Sequence, residues 1–244
     1  MDGYHRDVSA LFPWVGPTII RIKVFRRAEV TDEHGNPGLD FIFVDEHREV
    51  SRFKITSDNW IKNENLINKH DYVIILSNES VVKTLDPLSN NHFFEFKDFA
   101  DVINGKHNVL HSLDLIGVIS YIGKLSPPSI SSYRRRSIPF QIKNERNIEL
   151  YCIAYGELAE DLYESWKKMN RTNIVAVIRE WKITKSDGEI IVIDAGGLSS
   201  FWFDPSIAEA ETIIKNINKK DDDTYPSSLF MKNISEKMAA VHID

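Results

Sequence analysis

The side chains best suited to hold a ligand in this sequence are aromatic and cationic. In IELYCIAYG, Tyr151 and Tyr155 alternate with Cys152 and Ala154. Period-two alternation sends Tyr151, Ile153 and Tyr155 to one face of a strand, and Cys152 and Ala154 to the core face. Open-face rings stack on nucleobases, and stacking tolerates any base because every base has a π-face. The other reading packs these rings under a loop or helix. The sharpest cationic run is Tyr133–Arg136, YRRR. Arg134, Arg135 and Arg136 can neutralise about three phosphates, and arginine also stacks on rings. Short basic runs serve as localisation signals too. Lys182 and Lys185 follow in REWKITKSDG, with Trp181 on the opposite face and read as core.

Catalytic patterns are missing. Asp45 with Glu46, or Glu157 with Asp161, are the available carboxylate pairs. Glu157 and Asp161 share a helix face at i, i+4. Neither pair has a glycine-rich loop or metal-ligand spacing to give it a task. There is no P-loop, GxSxG, GxGxxG or HExxH. Cys152 is the only cysteine, which excludes a disulfide framework and a Cys-based zinc site. The chain therefore reads as a non-enzyme with no cofactor and no metal, in a reducing compartment.

Charge narrows the partner. Thirty Lys and Arg face 36 Asp and Glu, a net charge of −6, so the whole chain is no generic polyanion binder. Residues 1–105 carry 12 basic and 17 acidic side chains, whereas residues 106–205 carry 13 and 12. A nucleic-acid site must therefore be a local basic track on a neutral or acidic body. No apolar run reaches the roughly 18 residues of a membrane span. The N-terminus carries no secretory pattern.

Both halves are built of short strand-like runs. In the first they are Thr18–Phe25, LDFIFVD, EVSRFKI and DYVIILS, with Val81–Leu85 as a fifth. In the second they are LDLIGVISYIG, PFQIKN, IELYCIAYG, NIVAVIREWKI and EIIVIDA, with a helix at Glu157–Met169 and another at Ile207–Ile217. The turn-rich NGKHN divides the halves: 1–105, 106–215, and a partly flexible tail at 216–244. Strand, long loop, two strands, helix, two strands is the order of an OB-fold. The expected class is all-β with short helices, two tandem OB-fold Greek-key barrels.

The second half also resembles a known family. SLDLIGVISYIG, IELYCIAYGELAEDLYE and IREWKITKSDGEIIVIDAGGLSSFWFDPSIAEA are similar to the large subunit of replication protein A, closest to its plant-type relatives. Leu113–Gly117, Cys152–Glu157 and Phe203–Ala210 stand where that family has VDVIG, TLWGE and NPDIPEA. In the first half IRIKVFRRAEV, FIFVDEHREVSRFKI and HDYVIILSN match, and HFFEFKDFADVI is similar to the interdomain connector. The resemblance implies single-stranded DNA binding in replication, repair, recombination or telomere maintenance, in the nucleus. It places Tyr155 at a stacking position and Lys182 at that of a groove arginine. Ser186 stands where the family has a second aromatic. In the first barrel Arg26 and Arg27 match a basic pair. Ile55 falls at the stacking position, so Phe53, on the same face, is the substitute; Trp60 reads equally as core or groove. The segment after Leu76 is short, so either the fifth strand of the first barrel is truncated or Phe93–Phe96 is recruited into it. The family's zinc-bearing third barrel and N-terminal interaction barrel have no counterpart here. RNA is the alternative nucleic-acid partner. The rival function is a protein-interaction module, with protein partners on the acidic first barrel.

Overall fold

The computed structural model describes residues 6–11, 19–31, 37–45, 50–55, 74–75, 80–86, 92–127, 136–170, 172–186 and 188–220. The chain is mostly β-sheet with few short helices, in two sheets. The first is a curled half-barrel. Strands β1 (Lys23–Thr31), β2 (Pro37–Val44) and β3 (Val50–Ile55) run antiparallel in order, and β4 (Ile74–Ile75) lies parallel to β3.

The second sheet follows helix α1 (Phe99–Ile103). It contains β5 (Leu113–Ile122), β6 (Ser137–Lys143), β7 (Glu149–Tyr155), β8 (Val175–Ser186), β9 (Glu189–Asp194) and β10 (Ser200–Phe203). Helix α2 (Gly156–Lys167) sits between β7 and β8, and α3 (Ala208–Lys220) follows β10. β5 pairs with β6 and β8, β6 with β7, β7 with β9, and β9 with β8, so five strands close on themselves. That is the Greek-key barrel of an OB-fold, with β10 added on the outer side of β8. β9 runs parallel to β7. β4 holds the same relation to β3, so it takes the fifth-strand place of the first unit with two residues.

Two expected strands are corrected. The first strand starts at Lys23 instead of Thr18, because β2 ends at Val44, the partner of Lys23. Upstream, Ile20 and Ile22 pack on Val8 and Phe43 without a ladder partner among the described residues. Val81–Leu85 forms no strand; Val81 and Val82 are 94% and 75% exposed, with no sheet neighbour among the described residues.

Alternation fills the second barrel. Ile138, Phe140 and Ile142 of β6 and Leu150, Cys152 and Ala154 of β7 point inward and are buried. Trp181 lies edge-on to Phe140 in the same core and donates its Nε1–H to Ser200 O at 3.1 Å. Helix α1 closes one end. Asp98 caps it by accepting from the backbone amides of Ala100 and Asp101, and Phe99 and Val102 enter the core. Phe99 fits because residue 117 is glycine: a Cβ there would meet Phe99 Cζ at 3.0 Å and Lys143 O at 2.9 Å.

The connector is tied to this barrel by buried charge. Phe96 bridges to Asp114 in parallel. The Asp114 carboxylate accepts from the amides of Glu95 (3.3 Å) and Glu180 (3.2 Å). Its ion-pair partner is Arg179, at 3.5 Å. Arg179 donates to the carbonyls of His92 (2.8 Å) and Phe93 (3.1 Å) and lies over the Phe94 ring at 4.5 Å. Glu180, buried beside them, accepts from the Ser112 hydroxyl. Burial pushes the Glu180 carboxyl up to about 7, and the neighbouring Asp114 charge pushes the same way.

The two sheets touch. Ala28 of β1, Ile42 of β2 and Leu198 after β9 form one buried cluster. Arg21 donates to Asp86 O at 3.1 Å, and the Lys23 ammonium lies 5.6 Å from the centre of the Phe93 ring. Among the described residues no helix is long and apolar enough to cross a membrane.

Candidate nucleic-acid interface

The inward residues of the second barrel leave their alternates on the outer face. On β7 these are Tyr151, Ile153 and Tyr155, all half-buried. Cross-strand register then fixes what lies beside them. Tyr121, Gln141 and Tyr151 form one row across β5, β6 and β7. Pro139, Ile153, Ile193 and Lys182 form the next, across β6, β7, β9 and β8. Tyrosines, an apolar floor and a lysine thus share one outer surface. This is the basic-plus-aromatic mixture that single strands require.

Tyr155 sits where strand becomes helix. Its amide donates to Asp194 Oδ2 at 2.8 Å, and Gly196 N donates to Oδ1 of the same carboxylate at 3.0 Å. The next residue, Gly156, has φ +61°, a left-handed turn that glycine makes without a Cβ clash. Its amide donates to Arg136 O at 2.7 Å. The ring is therefore held at a strand end fixed on two sides. Burial raises the Tyr155 phenol above its ordinary value, and Asp194 adds to it. Burial also raises Tyr151, with further contributions from Tyr121 and Tyr155. Tyr151 and Tyr155 therefore stay neutral at physiological pH, so each presents an uncharged face and a hydroxyl.

The remaining sequence-predicted residues divide. Lys182 lies on the tyrosine surface, half-buried, opposite Ile193. Lys185 is exposed further along β8, opposite Ile190 near the β8–β9 turn. Arg136 is committed to structure: its Nε donates to Ser126 O at 3.0 Å, and Nη1 pairs with Glu160 at 3.3 Å. Arg134 and Arg135 lie outside the described residues, as do Trp60 and the 221–244 tail. In the first sheet Arg26 and Phe53 have described backbone only, opposite Ile42 and Phe41. Arg27 is exposed and paired with Glu29 at 3.4 Å. The structure thus joins Tyr151, Tyr155 and Lys182 on one surface of the second barrel.

One spacing with metal potential lies elsewhere. His107 and His111 stand four residues apart, which on a helix puts both on one side. Here they lie in a turn, with His107 Nε2 3.3 Å from His111 O. Among the described residues no three His, Cys, Asp or Glu side chains gather as a metal site.

No family model and no curated protein matches this sequence. Solved structures do. A replication protein A heterotrimer bound to single-stranded DNA superposes with a TM-score of 0.59 at 14% identity, over 90% of this chain. This is an OB-fold chain. It spans 56% of the length of the replication protein A chain it matches. A murine DNA-binding protein with double-stranded DNA matches at TM-score 0.41 and 11% identity, over 75% of this chain and 93% of its own. An OB domain from Thermoplasma acidophilum matches at 0.28 and 14%, over 39% of this chain and 78% of its own.

Proposed function

We propose that this protein binds single-stranded DNA through the outer face of its second barrel, in the manner of a replication protein A-like protein. The observation that carries the reading is one surface holding half-buried Tyr151 and Tyr155 beside Lys182, on a closed OB barrel. Stacking on the two rings supplies affinity without base readout, and lysine meets the backbone phosphates. Arg134 and Arg135, next to the anchored Arg136, extend the cationic edge in this reading. The replication protein A heterotrimer that holds the chain of similar fold is bound to single-stranded DNA, which supports it. The protein acts without catalysis, in replication, repair, recombination or telomere maintenance, in the nucleus.

Fluorescence anisotropy with labelled oligothymidylate and oligouridylate at two salt concentrations tests the reading. Salt-sensitive binding that prefers the DNA strand is expected. Tyr155→Ala should weaken it by about 1–3 kcal/mol. No binding by folded protein at low salt would overturn it. The first half would then be the place to seek a protein partner, since Val81 and Val82 stand exposed there and residues 1–105 carry 17 acidic against 12 basic side chains.

A further inference from the structure

We infer that Tyr121 is a third base-stacking residue, placed on the tyrosine surface by a β-bulge, so that the site runs across the strands as well as along β7. The inference rests on the proposed single-strand binding and extends it to a residue outside the family resemblance.

Ile119 pairs with Ile142, and the next pair is Tyr121 with Gln141, so Ser120 has no partner. Ile119 and Ile142 are both buried in the core. Regular alternation from Ile119 would send Tyr121 inward as well. The extra residue reverses the phase: Tyr121 turns outward opposite Gln141, and Ile122 turns inward opposite Phe140. Bulges re-aim side chains in this way.

The placement suits a base. Tyr121 is half-buried, and Tyr151 stands two strands away in the same row, about 10 Å by ordinary strand spacing. Tyr155 lies about 13 Å from Tyr151 along β7. The three rings mark a corner, with Tyr151 at its apex. Gln141 stands between Tyr121 and Tyr151, and its carboxamide bonds to none of the described residues. Its donor and acceptor lie within the same row as the two rings, where a stacked base would present its edge.

Anisotropy titrations of the full chain with an oligothymidylate of about ten nucleotides compare the native protein with Tyr121→Leu, Tyr121→Phe and Tyr155→Ala. Leucine keeps apolar volume without a ring, so about 5- to 150-fold weaker binding is expected; phenylalanine should bind like the native protein. Ultraviolet crosslinking of native protein to a 5-iodouracil oligonucleotide needs no substitution and should yield an adduct at Tyr121. Loss of affinity in Tyr155→Ala, with Tyr121→Leu unchanged or no Tyr121 adduct, overturns the inference and leaves the binding function standing. Failure of the native protein to bind removes both.

Discussion

Glu180→Gln should stabilise this protein at pH 8 and do almost nothing near pH 4.5. In the folded chain Glu180, Asp114 and Arg179 share one buried cluster with two negative charges and one positive. Burial, and then Asp114, raise Glu180 from its ordinary 4.5 to about 7. A carboxyl raised on folding binds its proton more tightly in the folded state. Its contribution is fully present below about pH 4.5 and is lost as pH rises through about 7. At about 1.4 kcal/mol per pH unit, the loss amounts to about 3 kcal/mol. Glutamine removes the ionisation yet still accepts from the Ser112 hydroxyl, and Asp114 keeps Arg179 as its partner. Urea unfolding followed by tryptophan fluorescence, at several pH values between 4.5 and 8, measures the effect. The variant's advantage should grow from near zero to about 3 kcal/mol across that range. Parallel stability curves for the two proteins would refute the account, because Glu180 would then ionise alike in both states.

Two further substitutions probe core and surface. Gly117→Ala puts a methyl 2.9 Å from the backbone carbonyl of Lys143 and 3.0 Å from Phe99. Phe99 can tilt but the carbonyl belongs to β6, so about 1–3 kcal/mol of stability should be lost; unchanged unfolding would mean that Phe99 is not seated there. Lys182→Ala should reduce the slope of log affinity against log salt by about 1 if Lys182 meets a phosphate, with thermal unfolding unaltered. A slope equal to that of the native protein would remove Lys182 from the site.

The second half was more legible than the first for physical reasons. In β6 and β7 the alternation is strict, so Cys152 and Ala154 could be assigned to the core and Tyr151 and Tyr155 outward, and each is found there. Trp181 was readable as core by the same count. Tyr121 was hidden because counting by twos from Leu113 puts it with the inward residues; the bulge at Ser120 has no signature in residue type. Arg136 was misleading in another way. Composition counts its charge, whereas the fold turns it toward Ser126 and Glu160. In the first half, Thr18–Phe25 carries a strand pattern that begins upstream of Lys23, the partner of the last residue of β2, and pairing ended where β2 ended. Val81–Leu85 has strand-forming residues without a neighbouring edge among the described residues. Strand formation needs both.

The cluster of Ala28, Ile42 and Leu198 bears on how a ligand could use both sheets. A Cβ at Gly197 would lie 3.3 Å from that of Ala28, so the backbone approaches closely where the sheets meet. Packing of that kind resists swivelling between the units at this point. A polymer reaching from one to the other would meet a track whose angle is already set, and the entropy of aligning two modules would be met during folding instead of at each encounter. Widening this seam, as with Leu198→Ala, would turn a stiff clamp into beads on a tether.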